Sequence, residues 1–69
     1  MEKKLSIIGN NIKKYRLEKK ISQDRLSKLA DVSYLTINKI ESGAIKSPGV
    51  ETAQKIAHAL GLSIDDLMK

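Results

Sequence analysis

The chain has 69 residues, a net charge of +5 and no cysteine, so it has the length of one small domain and cannot form a disulfide or a thiolate metal site. No apolar run approaches the roughly 20 residues of a membrane-spanning helix, and the N-terminal apolar stretch stops at Gly9, too early for the core of a signal peptide. These features predict a single soluble, cytoplasmic domain over residues 1–69.

The positive charge is concentrated in the first two thirds of the chain. Residues 1–46 contain 11 Lys or Arg and 5 Asp or Glu, a net charge of +6, whereas residues 47–69 contain 2 and 3, a net charge of −1. A basic surface on one side of a small domain is the electrostatic signature of a polyanion-binding protein. Lysines that only solvate the surface would give the same composition, so charge alone leaves both readings open.

Hydrophobic periodicity predicts a first helix from about residue 6 to residue 19. Apolar residues recur along it at spacings of three and four and form one stripe: Leu5, Ile8, Ile12 and Tyr15.

Two short helices joined by a tight turn are predicted within residues 22–43. Ser22 and Ser33 stand at the two helix starts, where a serine hydroxyl accepts a hydrogen bond from the first turn. An apolar residue precedes each serine and is predicted to staple to another inside the helix, Ile21 to Leu26 and Val32 to Ile37. The residues predicted to face the core are Leu26, Leu29, Ala30, Ile37 and Ile40. Gly43 is predicted to end the second helix in a left-handed conformation.

Two further helices follow the loop at residues 44–49. The fourth helix has its apolar face at Ala53, Ile56, Ala57 and Leu60, and Gly61 is predicted to end it. The fifth is one or two turns long, capped by Ser63, with Asp65 and Asp66 favourably placed at the positive end of the helix dipole. Leu62 is predicted to staple to Leu67. Five short helices with short connections predict a compact all-α domain in which helices 2 and 3 cross at about 90–120°.

The order and spacing of these elements resemble the Cro/phage-repressor type of helix-turn-helix domain, also called the xenobiotic-response-element family. The resemblance begins with IGNNIKKYR at residues 8–16, continues through the serine-capped helices of residues 22–43, and ends with residues 48–67. It implies a five-helix lambda-repressor-like fold with helices 2 and 3 as the helix-turn-helix. Two residues depart from the family pattern: Ser27 replaces the usual alanine and Asp31 the usual glycine. We expect Asp31 to be left-handed, a conformation that aspartate tolerates better than most residues.

Helix 3, at about residues 33–42, is the predicted recognition helix for the major groove of double-stranded DNA. Because Ile37 and Ile40 face the core, four side chains should point outward: Tyr34, Leu35, Asn38 and Lys39. Lys39 can donate to guanine, Leu35 and the ring of Tyr34 can contact a thymine methyl group, and Asn38 can pair with adenine or reach a phosphate. Packing of Tyr34 and Leu35 on a protein partner or the core edge is the alternative.

Residues at the ends of helices 2 and 3 are predicted to contact the DNA backbone: Ser22, Ser33, Thr36, Ser42 and Lys46. For Ser22 and Ser33, helix capping alone is the simpler interpretation. The resemblance implies that Gln23 also contacts DNA, and we count it with the base-contacting residues. It opens helix 2, at a positive helix end suited to phosphate.

The resemblance further implies a structural ion pair between Arg16 and Glu41, linking helix 1 to helix 3 beneath the DNA surface. No catalytic or metal site is predicted. His58 is the only histidine and has no ligand-like spacing to other residues, no nucleophile and base are paired, and no glycine-rich phosphate loop follows a strand. We therefore expect neither enzymatic activity nor a cofactor.

The predicted function is sequence-specific DNA binding by a transcriptional regulator, a repressor that binds a palindromic operator as a homodimer. Half-sites would lie about one helical turn apart. The dimer contact is expected around Ile45 and residues 62–68, because Ile45 and Met68 have no evident place in the core; the dimer can be completed on the DNA itself. The alternative is an antitoxin or adaptor that uses the same fold to bind a protein, which the charge of residues 1–46 disfavours.

Overall fold

The structure, a computed structural model, describes residues 7–69. It contains five α-helices: α1 (Ile7–Glu18), α2 (Gln23–Ala30), α3 (Tyr34–Ser42), α4 (Val50–Ala59) and α5 (Ile64–Met68). The predicted all-α, five-helix architecture is confirmed, and no strand occurs among the described residues. The predicted helix start at residue 6 and the stripe position Leu5 lie outside the described residues. Within residues 7–69, no helix combines the length and apolar character needed to cross a membrane.

The core is built from one buried stripe on each helix. Seven side chains are the largest fully buried ones: Ile12, Leu26, Ile37, Ile40, Ile56, Leu60 and Leu67. Burying one such side chain contributes about 1.5–3 kcal/mol. Since α1, α2, α3, α4 with its C-cap, and α5 all contribute, the two helices of the helix-turn-helix are held by the other three.

The prediction that Leu29 faces the core is wrong. Its side chain is 49% exposed, and Ser27 is buried instead. Successive residues of an α-helix are rotated by about 100° around its axis. Measured from the buried Ala30, the side chain of Ser27 is therefore rotated by about 60°, and that of Leu29 by about 100° and further from the core. The small Ser27 therefore occupies the close approach to the rest of the core. Its hydroxyl donates to the carbonyl of Asp24 at 2.6 Å, so no buried donor is left unpaired.

Serine hydroxyls cap the starts of α2 and α3, and a residue in the left-handed conformation ends each helix. The hydroxyl of Ser22 accepts from the backbone N–H of Arg25 at 3.0 Å, and that of Ser33 accepts from Thr36 at 3.1 Å. Asp31 ends α2 with φ 58° and Gly43 ends α3 with φ 91°, so both predicted left-handed positions are confirmed.

The ends of α1 and α5 include features that were not predicted. Lys20 adopts φ 60° in the turn after α1, a second left-handed residue other than glycine. In α5, the Ser63 hydroxyl accepts from the N–H of Asp66 at 3.2 Å, while the Ser63 N–H donates to Asp66 Oδ2 at 3.0 Å. This reciprocal capping box lowers the pKa of Asp66 below 3.8, chiefly through the backbone hydrogen bond from Ser63. Asn11 Nδ2 donates to the carbonyl of Leu67 at 2.7 Å and ties α1 to α5.

Candidate nucleic-acid interface

Helix α3 divides its side chains between the core and solvent. Ile37 and Ile40 are fully buried, whereas Tyr34 is 46% exposed and Leu35 63% exposed. Asn38 and Lys39, one turn further along, are exposed as well. The four α3 residues predicted to contact bases thus lie on one outward face, which combines two large apolar side chains with an amide and an ammonium group.

Arg16 and Glu41 form an ion pair beneath this face. Arg16 Nε donates to Glu41 Oε2 at 2.8 Å and an Nη donates to Oε1 at 3.0 Å, a bidentate arrangement. The other Nη of Arg16 donates to the carbonyl of Ile21 at 2.8 Å. The two side chains are only 10% and 4% exposed, so the pair joins α1, the α1–α2 turn and α3 at a nearly dry position.

Gln23 connects this ion pair to the surface of α3. Its Nε2 donates to Glu41 Oε1 at 3.0 Å, and its Oε1 accepts from Asn38 Nδ2 at 3.2 Å. Gln23 is half-buried, and it was predicted from the sequence as a DNA contact without these intramolecular partners. The contacts join residues 18 and 15 positions apart in the chain, so no local pattern indicates them.

A shallow cavity of about 270 Å³ lies where α1, the start of α2 and the end of α3 meet. Its lining consists of Lys13, Arg16, Gln23, Asn38, Glu41 and Ser42. Lys13 is not among the residues predicted from the sequence to contact DNA. Its position one turn before Arg16 places its exposed ammonium group on the same side of α1 as the ion pair, which is the signal that could have identified it.

Four of the five predicted phosphate-contacting residues lie in the first turn, the last turn or the N-cap of a helix, and the fifth, Lys46, lies in a loop. The Ser22 and Ser33 hydroxyls serve as caps, and Ser33 Oγ also donates to Thr36 Oγ1 at 3.0 Å. Ser42 Oγ donates to the carbonyl of Lys39 at 3.1 Å. Lys46 is exposed in the α3–α4 loop and lines a different, mostly apolar cavity, beside residues of α1, α4 and α5.

The region predicted for dimerisation is only partly free. Ile45 is half-buried against the core, so the expectation that it has no place there is wrong. The Ile45 N–H donates to the carbonyl of Lys39 at 3.0 Å, which folds the loop back under α3. Met68 is exposed, and so is Val50, which the sequence did not single out. Both line the same apolar cavity as Lys46.

Residues 7–69 contain no cluster of three or more His, Cys, Asp or Glu side chains that could hold a metal ion. His58 is exposed on α4, on the lining of an open depression between α4 and α5.

Three solved structures have folds similar to that of this chain. The N-terminal DNA-binding domain of SinR from Bacillus subtilis is 30% identical and superposes with a TM-score of 0.89, covering 93% of each chain. The restriction-modification controller protein C.AhdI from Aeromonas hydrophila, 23% identical, has a TM-score of 0.85 and covers 93% of this chain and 96% of its own. The clp gene regulator ClgR from Corynebacterium glutamicum, 24% identical, has a TM-score of 0.84 and covers 97% and 70%. The last two show the fold alone.

A search of curated protein sequences gives no significant match. A helix-turn-helix family model of the Cro/C1 type, in contrast, matches residues 12–67, which include all or part of every helix. The family and the fold are those of DNA-binding regulator domains rather than enzymes. The chain belongs to the Cro/C1-type helix-turn-helix family.

Proposed function

We propose that the protein is a sequence-specific DNA-binding transcriptional regulator, a repressor that binds a palindromic operator as a homodimer with α3 in the major groove. The observation that carries the proposal is the outward face of α3, because a recognition helix needs exposed, mixed polar and apolar side chains near its N-terminus. The 30% identity to the N-terminal DNA-binding domain of SinR supports it.

The base contacts in this proposal come from the exposed face of α3. Lys39 donates to guanine O6 or N7, Leu35 and the ring of Tyr34 pack on thymine methyl groups, and Asn38 pairs with adenine. Gln23 lies beside Asn38 at the start of α2, within reach of the same surface.

The DNA backbone contacts in this proposal use helix ends and the basic charge of residues 1–46. The N-terminus of α2 is a positive helix end suited to a phosphate, and Lys13 adds an ammonium group near it, since Lys13 and Gln23 line the same cavity. The proposed phosphate contacts otherwise remain those of the helix ends and the following loop: Ser22, Ser33, Thr36, Ser42 and Lys46. The proposed cytoplasmic location agrees with this role, because the protein would act in the compartment that contains the DNA.

A homodimer is proposed because one short helix reads few base pairs. Two copies on half-sites about one turn apart would double the contacted sequence. The exposed apolar side chains Val50 and Met68 are the proposed contact region, and the dimer can be completed on the DNA.

Selection from a random duplex library of about 30 base pairs at two salt concentrations tests the proposal, since this length holds two half-sites. We expect enrichment of a palindrome. Lys39→Ala should change the base preference at one position of each half-site, and Lys46→Ala should weaken all sequences alike and reduce the salt slope by about one. Lys55→Ala, an exposed lysine on α4, is the matched control and should change neither.

Absence of any enriched motif would contradict sequence-specific binding. A protein-docking role for the exposed Tyr34 and Leu35, as in an antitoxin or adaptor, would then be the better interpretation.

A further inference from the structure

A chain of hydrogen-bonded side chains runs from the buried ion pair to the outward face of α3. Arg16 holds Glu41, Glu41 accepts from Gln23, and Gln23 accepts from Asn38. Its inner end is a nearly dry carboxylate and its outer end an exposed amide on the recognition face.

The chemistry of the inner end determines the direction of every hydrogen bond in this chain. An ionised carboxylate only accepts, so Gln23 has to turn its NH₂ group towards Glu41. The carbonyl oxygen of Gln23 then faces Asn38, and Asn38 has to turn its own NH₂ group inward to donate. An isolated amide side chain can rotate to exchange its oxygen and nitrogen ends. Here, rotation of either amide would bring two hydrogen-bond acceptors, or two donors, to face each other.

We propose that Gln23 is a positioning residue that fixes the amide orientation of Asn38 and so determines which base Asn38 recognises. This rests on the proposed function. With one N–H committed to Gln23, Asn38 offers the DNA its carbonyl oxygen and its second N–H. Adenine matches that pair of groups, because its major-groove edge has an N6 donor and an N7 acceptor. Guanine offers two acceptors, O6 and N7, and one of them would face the Asn38 oxygen.

Gln23 can be changed without removing the support beneath it. The bidentate contacts between Arg16 and Glu41 do not pass through Gln23, and its side chain is only half-buried. Gln23→Met keeps the length of the side chain and removes both hydrogen bonds. Gln23→Lys keeps a donor for Glu41 but offers no acceptor to Asn38, so it separates the two contacts.

The test compares library selections for the wild type, Asn38→Ala, Gln23→Met and Gln23→Lys. The motif position altered by Asn38→Ala identifies the base that Asn38 reads. We expect both Gln23 variants to reduce the adenine-over-guanine preference at that same position by about five-fold, the value of one hydrogen bond. A change at a further position would report the base that Gln23 itself contacts. Melting curves of the four proteins serve as the folding control.

Uniform weakening in the Gln23 variants with the adenine preference intact would overturn the proposal, since loss of a phosphate contact or of stability acts on all positions alike. No altered position in Asn38→Ala would overturn it as well.

A measurement on the free protein separates this inference from the proposed function. The side-chain NH₂ resonances of Asn38, assigned by their loss in Asn38→Ala, should shift in both Gln23 variants. Unshifted resonances would overturn the contact even if the protein selects an operator. Failure of the wild type to enrich any motif would instead overturn the proposed function, and the specificity role of Asn38 with it.

Discussion

Replacing Arg16 with alanine would remove three hydrogen bonds at once, two to Glu41 and one to the carbonyl of Ile21. The Glu41 side chain, 4% exposed, would keep Gln23 as a neutral donor but lose its counter-ion. A buried carboxylate without a counter-ion is costly because the low-dielectric interior cannot solvate its charge.

The expected loss of stability in Arg16→Ala follows from the burial of the ion pair between Arg16 and Glu41. Breaking a buried pair by removing one partner costs about 3–5 kcal/mol. A domain of 69 residues is expected to have a total stability of about 3–10 kcal/mol, so the loss approaches the whole of it at the lower end. Because each kcal/mol lowers the Tm of a domain of this size by about 4–8 °C, Arg16→Ala should lower the Tm by at least about 12 °C.

Thermal unfolding followed by circular dichroism at neutral pH measures this effect. The matched variants are Glu41→Gln and the double variant Arg16→Met with Glu41→Gln, which complete a cycle with Arg16→Met. The double variant should be more stable than Arg16→Met alone, because the uncompensated charge is gone. A Tm drop of under about 4 °C for Arg16→Ala would refute the reasoning, since it corresponds to less than about 1 kcal/mol.

Three other predictions concern local features. Asp31→Gly should leave the Tm unchanged or slightly raised, because glycine adopts φ 58° without strain; a clear fall would contradict this. Leu26→Ala should cost about 2–5 kcal/mol in denaturant unfolding and Leu29→Ala much less, and equal losses would contradict the burial. The hydrogen bonds from Ser63 lower the pKa of Asp66 in the folded protein. The ionised Asp66 therefore stabilises the fold above pH 3.8, and this stabilisation is lost as the pH falls through the pKa of Asp66 in the folded protein. Asp66→Asn should therefore lose less Tm between pH 7 and pH 3 than the wild type does; an equal loss would argue against the capping box.

The predicted interface followed from the sequence in part. Alternation of buried and outward residues along α3 identified Tyr34, Leu35, Asn38 and Lys39 as one exposed face, because helical periodicity alone separates them from Ile37 and Ile40. The ion pair of Arg16 and Glu41, 25 residues apart, was expected only through the family resemblance.

Local interactions account for what the sequence by itself determined: the five helices, the serine caps of α2, α3 and α5, and the left-handed turns at Asp31 and Gly43. Each depends on groups within about one helical turn of each other, so the spacing of residues is enough to predict it.

Only the tertiary structure decided which side chains meet across helices. The exposure of Leu29, the burial of Ile45 and the link from Glu41 through Gln23 to Asn38 depend on how α1, α2 and α3 pack against one another. Helix packing angles vary by about 15–20° within one class, and such a rotation is enough to make or break a contact between side-chain ends. A pattern of residues along the chain contains no record of that angle.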